Sequence, residues 1–240
     1  MQRRWFLTGL LWLCAWLLFY LFLSQRWVYA QRWLFISAAI LALLWLRVRQ
    51  QLDLNSRPGE ARLLPMLGAG NHITLFRGLL IGLLAGFLFS PWPHGSLAWI
   101  IAGLYTIASL ADAVDGYVAR RRNEVTELGR LLDMELDGLG LAVVILLAVG
   151  YGQLPPWFLL VGLARYLFIF GLWIRGRRGQ SSHDIPASVH RRILAGMLMG
   201  MMTVVLWPIV PPDMSHIAAF VVGIPLQLGF VRDWLFASGR

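Results

Sequence analysis

Apolar residues in this chain come in unbroken runs of helix length, separated by short clusters of arginine, proline and glycine. Strict alternation, the mark of a half-buried strand, is absent from the pattern. The first run, about 5–23, is long enough to cross a bilayer, which takes about 20 residues. The preceding Met1-Gln2-Arg3-Arg4 resembles a signal-peptide start, but the run exceeds a signal core and no small-residue cleavage site follows, so it reads as a membrane helix. A second run, about 33–46, follows a link carrying Arg26 and Arg32. Residues 47–70 form the longest polar interval, broken at Pro58-Gly59, and read as a loop or surface helix. Six more helices are expected near 71–89, 97–120, 126–151, 157–174, 190–210 and 214–231. Their stops are Pro91-Trp92-Pro93, Arg120-Arg121-Arg122, Pro155-Pro156, Arg175-Gly176-Arg177-Arg178 and Pro211-Pro212. The pattern predicts an all-α integral membrane protein with eight spans.

Composition agrees. Of 240 residues, 58% are hydrophobic and 14% charged, against about half and a quarter in soluble domains. All 21 basic residues are arginine, for a formal net charge of +9. In a soluble protein that excess would suggest nucleic acid. Here the arginines sit at the ends of apolar runs, as the positive-inside rule and anionic headgroups require, and no nucleic-acid partner is expected. Eight spans put both termini on one side. With that side cytoplasmic, only Arg26 and Arg32 face outward, as in a bacterial-type inner membrane protein. Cys14 is the single cysteine, so there is no disulfide framework.

Acids are scarce, which makes one stretch conspicuous. Asp112 and Asp115 lie three apart near the end of the fourth helix, and Asp133 and Asp137 four apart early in the fifth. Each pair therefore shares a helix face. Brought together at the cytoplasmic end, the four offer oxygen ligands suited to a hard cation such as Mg²⁺ or Mn²⁺. Gly116 and Gly129 remove side chains beside the acids, where close approach is needed. Arg120 stands within reach of a phosphate at that point. The plainer alternative is a set of salt bridges to Arg120, Arg121, Arg122 and Arg130.

The spacing Asp-x2-Asp-Gly-x2-Ala-Arg-x8-Gly-x3-Asp-x3-Asp, formed by Asp112, Asp115, Gly116, Ala119, Arg120, Gly129, Asp133 and Asp137, resembles the signature of the CDP-alcohol phosphatidyltransferase family at every defined position. The resemblance covers about 71–240 and implies a six-helix core, preceded by a two-helix membrane extension and cytoplasmic loop over 1–70. It further implies transfer of a phosphatidyl group from a CDP-alcohol, usually CDP-diacylglycerol, to an acceptor hydroxyl with release of CMP. On that resemblance the four aspartates hold two Mg²⁺ or Mn²⁺ ions, Asp137 is the general base, and Gly116, Arg120 and Gly129 face the CDP donor.

Asn71, Thr74 and Arg77 match the family's spacing at the start of its first core helix; Asn71 also reads as an ordinary N-cap. Thr126 lies where related enzymes contact the donor, and reads equally as the cap of the fifth helix. Arg165, set deep in an apolar run, resembles the arginine that glycerophosphate- and inositol-phosphate-using members direct at the acceptor. Arg191 and Arg192, after Pro186-Ala187-Ser188, occupy the place of a Gly-Lys pair in the glycerophosphate branch and read also as a positive anchor. The resemblance is to phosphatidylglycerophosphate and phosphatidylinositol-phosphate synthases, so glycerol 3-phosphate or an inositol phosphate is the expected acceptor, in a homodimer. Three other readings stay open: CDP-choline or CDP-ethanolamine transfer to diacylglycerol, a metal-ion transporter, and a non-catalytic membrane scaffold, which leaves the fixed spacing unexplained. All four acids lie at one end with none at the midplane of another helix, which counts against an ion path.

Overall fold

A computed structural model describes residues 2–60, 62–122, 124–181, 183 and 188–239; Pro186 and Ala187, in the stretch before Arg191, lie outside the described residues. Among these are eight α-helices: α1 (Gln2–Ser24), α2 (Ala30–Gln51), α3 (Ala69–Ala85), α4 (Ser96–Arg121), α5 (Glu127–Gly150), α6 (Leu159–Arg177), α7 (Val189–Val205) and α8 (Pro212–Ala237). Five helical stretches are long and apolar enough to cross a membrane: Trp5–Ser24, Ala30–Leu54, Ser96–Arg121, Pro156–Arg177 and Pro212–Ala237. The other three fall short of the eight spans expected for identifiable reasons. Helices α3 and α7 have 17 residues each, about 25 Å of rise, and α5 carries Glu127, Asp133, Glu135 and Asp137 in its first half. Leu7, Leu11, Leu18 and Leu21 on α1 are exposed and need hydrocarbon around them. The chain is an all-helical integral membrane protein.

The polar interval after α2 is shorter than the sequence suggests. Arg47 to Gln51 contain no Gly or Pro and are helix formers, so α2 continues through them and ends in a 3-10 turn, Leu52–Leu54. The remaining strap, described over 55–60 and 62–67, carries an antiparallel bridge between Ser56 and Leu63 and turns at Gly59, whose φ is +77°.

The chain divides into two compact units, Met1–Val143 and Val144–Arg240. In the first, α3 is the central helix, buried on nearly every side and packed on α2 and α4. Small residues on α3 permit that approach: a Cβ on Gly82 would run into Leu41, and one on Gly86 would lie 2.5 Å from the Trp33 indole. Trp33, fully buried, donates from Nε1 to the Leu83 carbonyl at 2.9 Å. Trp5 and Trp45 stack between α1 and α2 with centroids 3.7 Å apart.

In the second unit, the rings of Trp157 and Phe158 pack where a Cβ on Gly223 of α8 would meet them at 2.8 Å. Ser215 donates to the buried Gln153 side chain at 3.1 Å. Asp233, buried on α8, takes Arg191 at 3.1 Å and Arg232 at 3.1 Å.

Candidate active site

The site is built where α3, α4 and the start of α5 meet inside the first unit. Gly70 sets the spacing of α3 and α4. A Cβ there would lie 2.8 Å from the Ala119 Cβ and 3.2 Å from the Asp115 carbonyl oxygen, so the Gly70–Ala119 pair must stay small. The close approach lets Thr74 Oγ1 donate to Asp115 Oδ2 at 2.8 Å, deep in the interface. One turn further along α3, Arg77 enters the same space.

Arg77 is 2% exposed, and its guanidinium is surrounded by all four aspartates. Nη1 donates to Asp112 Oδ1 and, at 2.8 Å, to Asp133 Oδ1; it stands 3.7 Å from Asp115 Oδ2. Nη2 donates to Asp137 Oδ1 at 2.5 Å and to the Asp133 carbonyl at 3.2 Å. The geometry divides the four acids. Asp112, Asp133 and Asp137 each offer one oxygen within 4.8 Å of the others, close enough to hold a single cation, while Asp115 is drawn aside by Thr74. One guanidinium against four carboxylates leaves the cluster short of positive charge by three when all are ionised. Like charges this close are stable only with added cation or proton, and an all-oxygen set suits Mg²⁺ or Mn²⁺. The residues therefore fit a divalent ion.

Salt bridges from Arg121 and Arg130, one alternative raised by the sequence, are not what surrounds the acids. Arg130 pairs with Glu127 at 3.0 Å, and Arg121 donates to the Tyr117 hydroxyl at 2.6 Å. The neutralising arginine comes instead from α3. Its signal was an ionisable side chain in an apolar helix, the reasoning that singled out Arg165.

The sequence-expected donor residues divide into two groups. Asn71 and Thr126 are buried together: Asn71 Nδ2 donates to Thr126 Oγ1 at 3.2 Å, and Thr126 Oγ1 accepts the Gly129 N–H at 3.0 Å as the cap of α5. A Cβ on Gly129 would lie 2.5 Å from Asn71 Oδ1, which gives that glycine a reason. Asn71 does not cap α3. The helix starts two residues earlier with Gly68 as its cap, and the Ala69 N–H is taken by Glu124 Oε2 at 2.8 Å. Arg120 is exposed at the end of α4 and folds back over Gly116, where a Cβ would sit 3.1 Å from its Nη1.

Arg165, Arg191 and Arg192 belong to the second unit. Arg165 is half-buried on α6, Arg191 is committed to Asp233, and Arg192 is exposed. The Arg191–Asp233 pair gives Arg191 a structural partner that sequence reasoning did not find.

The sequence model of the CDP-alcohol phosphatidyltransferase family matches residues 68–230, the stretch that holds Arg77 and all four aspartates. The chain belongs to that family. The match opens at Gly68, the cap of α3, so α1, α2 and the strap precede it. Among curated proteins, this family member is similar to the CDP-diacylglycerol–glycerol-3-phosphate 3-phosphatidyltransferase of Bacillus subtilis, 33% identical over 117 residues, 45% of this chain and 61% of that protein. It is similar to the protein of the same name from Cereibacter sphaeroides, 30% identical over 108 residues, 42% of this chain and 47% of that one. A third of that name, from Salmonella choleraesuis, is 27% identical over 173 residues, 69% of this chain and 92% of that one. The chain thus spans 61% and 47% of the length of the first two relatives. No solved structure matches.

Proposed function

We propose that this protein transfers a phosphatidyl group from CDP-diacylglycerol to a polar acceptor alcohol, releasing CMP, with a divalent cation held by its aspartates. The observation that carries the reading is the trio Asp112, Asp133 and Asp137, with one oxygen of each within 4.8 Å of the others in the family-matched region. Bound there, Mg²⁺ or Mn²⁺ would polarise the donor's pyrophosphate and offset charge on the attacking and leaving oxygens.

The chain's own groups do the remaining work. Asp137 takes the proton of the acceptor hydroxyl as its oxygen bonds to the phosphorus that carries the diacylglycerol. The P–O bond to CMP breaks, and CMP leaves with the electron pair. Arg77, beside Asp137 and Asp133, keeps positive charge at the reacting end. Asn71, Thr74, Gly116, Arg120, Thr126 and Gly129 shape the donor end, and Asp115 anchors the α3–α4 contact while adding its charge to the cation site. Residues 71–240 form the catalytic core with 1–70 as its membrane extension, and the site faces the cytoplasm, where CDP-linked donors and acceptor phosphates are found.

The relatives' names favour glycerol 3-phosphate as acceptor, with Arg165 and Arg192 as candidates to receive its phosphate. The test is product identity. Purified protein given CDP-diacylglycerol should release CMP with glycerol 3-phosphate and yield the corresponding phosphatidyl ester. CMP release only with an inositol phosphate would change the acceptor. Activity only with CDP-choline and diacylglycerol would overturn the donor assignment.

A further inference from the structure

We infer that Asn55, which lies before the family-matched segment, is a positioning residue for the donor end of the site, and that the strap 55–67 holds the N-termini of α3 and α5 at their working separation. Asn55 is fully buried although it sits in a connecting segment. Its backbone carbonyl accepts the Leu64 N–H at 2.8 Å, and its Nδ2 donates to the carbonyls of Leu64 at 3.3 Å and Met66 at 3.1 Å. Those bonds fold the strap on itself. Its Oδ1 is turned the other way and accepts Asn71 Nδ2 at 3.3 Å.

Asn71 shares the same amide with Thr126 Oγ1, which caps α5 by accepting the Gly129 N–H. Beside it the Ser56 carbonyl accepts the Glu127 N–H, the first residue of α5, at 3.0 Å. The strap is therefore tied by side chain to α3 and by backbone to α5. Those two helices carry Arg77 on one side and Asp133 and Asp137 on the other, so any change in their separation is felt at the acid cage. A buried amide with several partners fixes one arrangement because an alternative leaves polar groups unpaired.

The inference rests on the proposed donor role of Asn71 and Thr126 for its kinetic consequence, but not for its structural one. The experiment uses the full chain in detergent or nanodiscs, with N55A and the milder N55S, and two readouts. Amide hydrogen exchange at Gly129 should quicken by about 5–10-fold in N55A, the equivalent of one hydrogen bond of about 1 kcal/mol or slightly more. The KM for CDP-diacylglycerol should rise by a similar factor while kcat stays within about twofold, with N55S intermediate. Unchanged exchange and unchanged KM in a folded N55A protein would overturn the inference. Faster exchange in N55A, with a wild-type protein that releases no CMP from any CDP-alcohol, would leave the strap's role standing and sink the proposed reaction instead. Failure of both variants to fold would also overturn it, since Asn55 would then serve folding rather than position.

Discussion

Arg77 Nη2 lies 2.5 Å from Asp137 Oδ1, and the same guanidinium reaches Asp112 and Asp133, so the acid cage already contains one positive charge supplied by the chain. That charge and an incoming cation answer the same electrostatic need. Removing it leaves four carboxylates close together, and because Asp112, Asp133 and Asp137 stay partly exposed the cost falls below the roughly 3–5 kcal/mol of a fully buried pair. R77M should therefore melt well below wild type in EDTA, and added Mn²⁺ should recover more of the difference than it adds to wild type. Thermal unfolding with and without Mn²⁺ checks this; equal Mn²⁺ shifts in both proteins would contradict it.

Asp112 and Asp133 differ from Asp115 in what they contact. The first two join the trio that can share a cation, while Asp115 is held by Thr74. D133N should weaken Mn²⁺ binding by at least about 100-fold, more than loss of an outer partner would. T74V, which removes only the hydroxyl behind Asp115, should cost about 10-fold or less. Mn²⁺ titration followed by electron paramagnetic resonance separates the two; similar losses would merge Asp115 into the trio.

Glycines of this chain fall into two kinds that alanine substitution tells apart. A Cβ at Gly70 or Gly129 meets Ala119 or Asn71 well inside contact distance, whereas Gly103 and Gly150 have nothing within 4 Å. G70A and G129A should destabilise by about 1–3 kcal/mol from overpacking, and both should lower turnover. G103A should be neutral or stabilising by up to about 1 kcal/mol, since alanine costs less helix entropy. Melting temperatures of the three variants provide the check.

Thr126 caps α5 through Gly129. T126A should cost about 1 kcal/mol, and T126S should recover most of it because serine keeps the oxygen. If both variants lose donor affinity equally, the threonine methyl rather than its oxygen matters, against the capping account. Chemical denaturation and donor KM read the two effects separately.

Much of this architecture is legible in the sequence because bilayer burial writes long apolar runs and ends them at proline or arginine. The acid pairs at three- and four-residue spacing are visible for another reason: helix periodicity alone puts them on one face. Arg77 was named only as a member of an Asn-Thr-Arg spacing; its place in an apolar helix marked it out, but its partners, 35 to 60 residues away in sequence, did not. Asn55 carried no signal at all, because an asparagine beside a Pro-Gly turn reads as an ordinary loop residue. Asn71 looked like a helix cap and is an internal residue of α3, because Gly68 takes that place and Glu124 supplies the missing acceptor. The Arg191–Asp233 pair was hidden likewise by 42 residues of separation.

The role proposed for Asp137 is proton acceptance apart from nucleotide binding. D137N should abolish turnover while CMP binding by calorimetry stays detectable. Loss of CMP binding equal to the loss of rate would reduce Asp137 to a binding group.

The most direct measurement is CMP release from CDP-diacylglycerol and glycerol 3-phosphate by the purified protein, titrated with Mg²⁺ after EDTA treatment. Release should be absent in EDTA, return saturably with Mg²⁺ or Mn²⁺, and fail to return in D133N. Full-rate release in EDTA, or no release at any metal concentration with any acceptor, would contradict a metal-dependent phosphatidyl transfer at Asp112, Asp133 and Asp137.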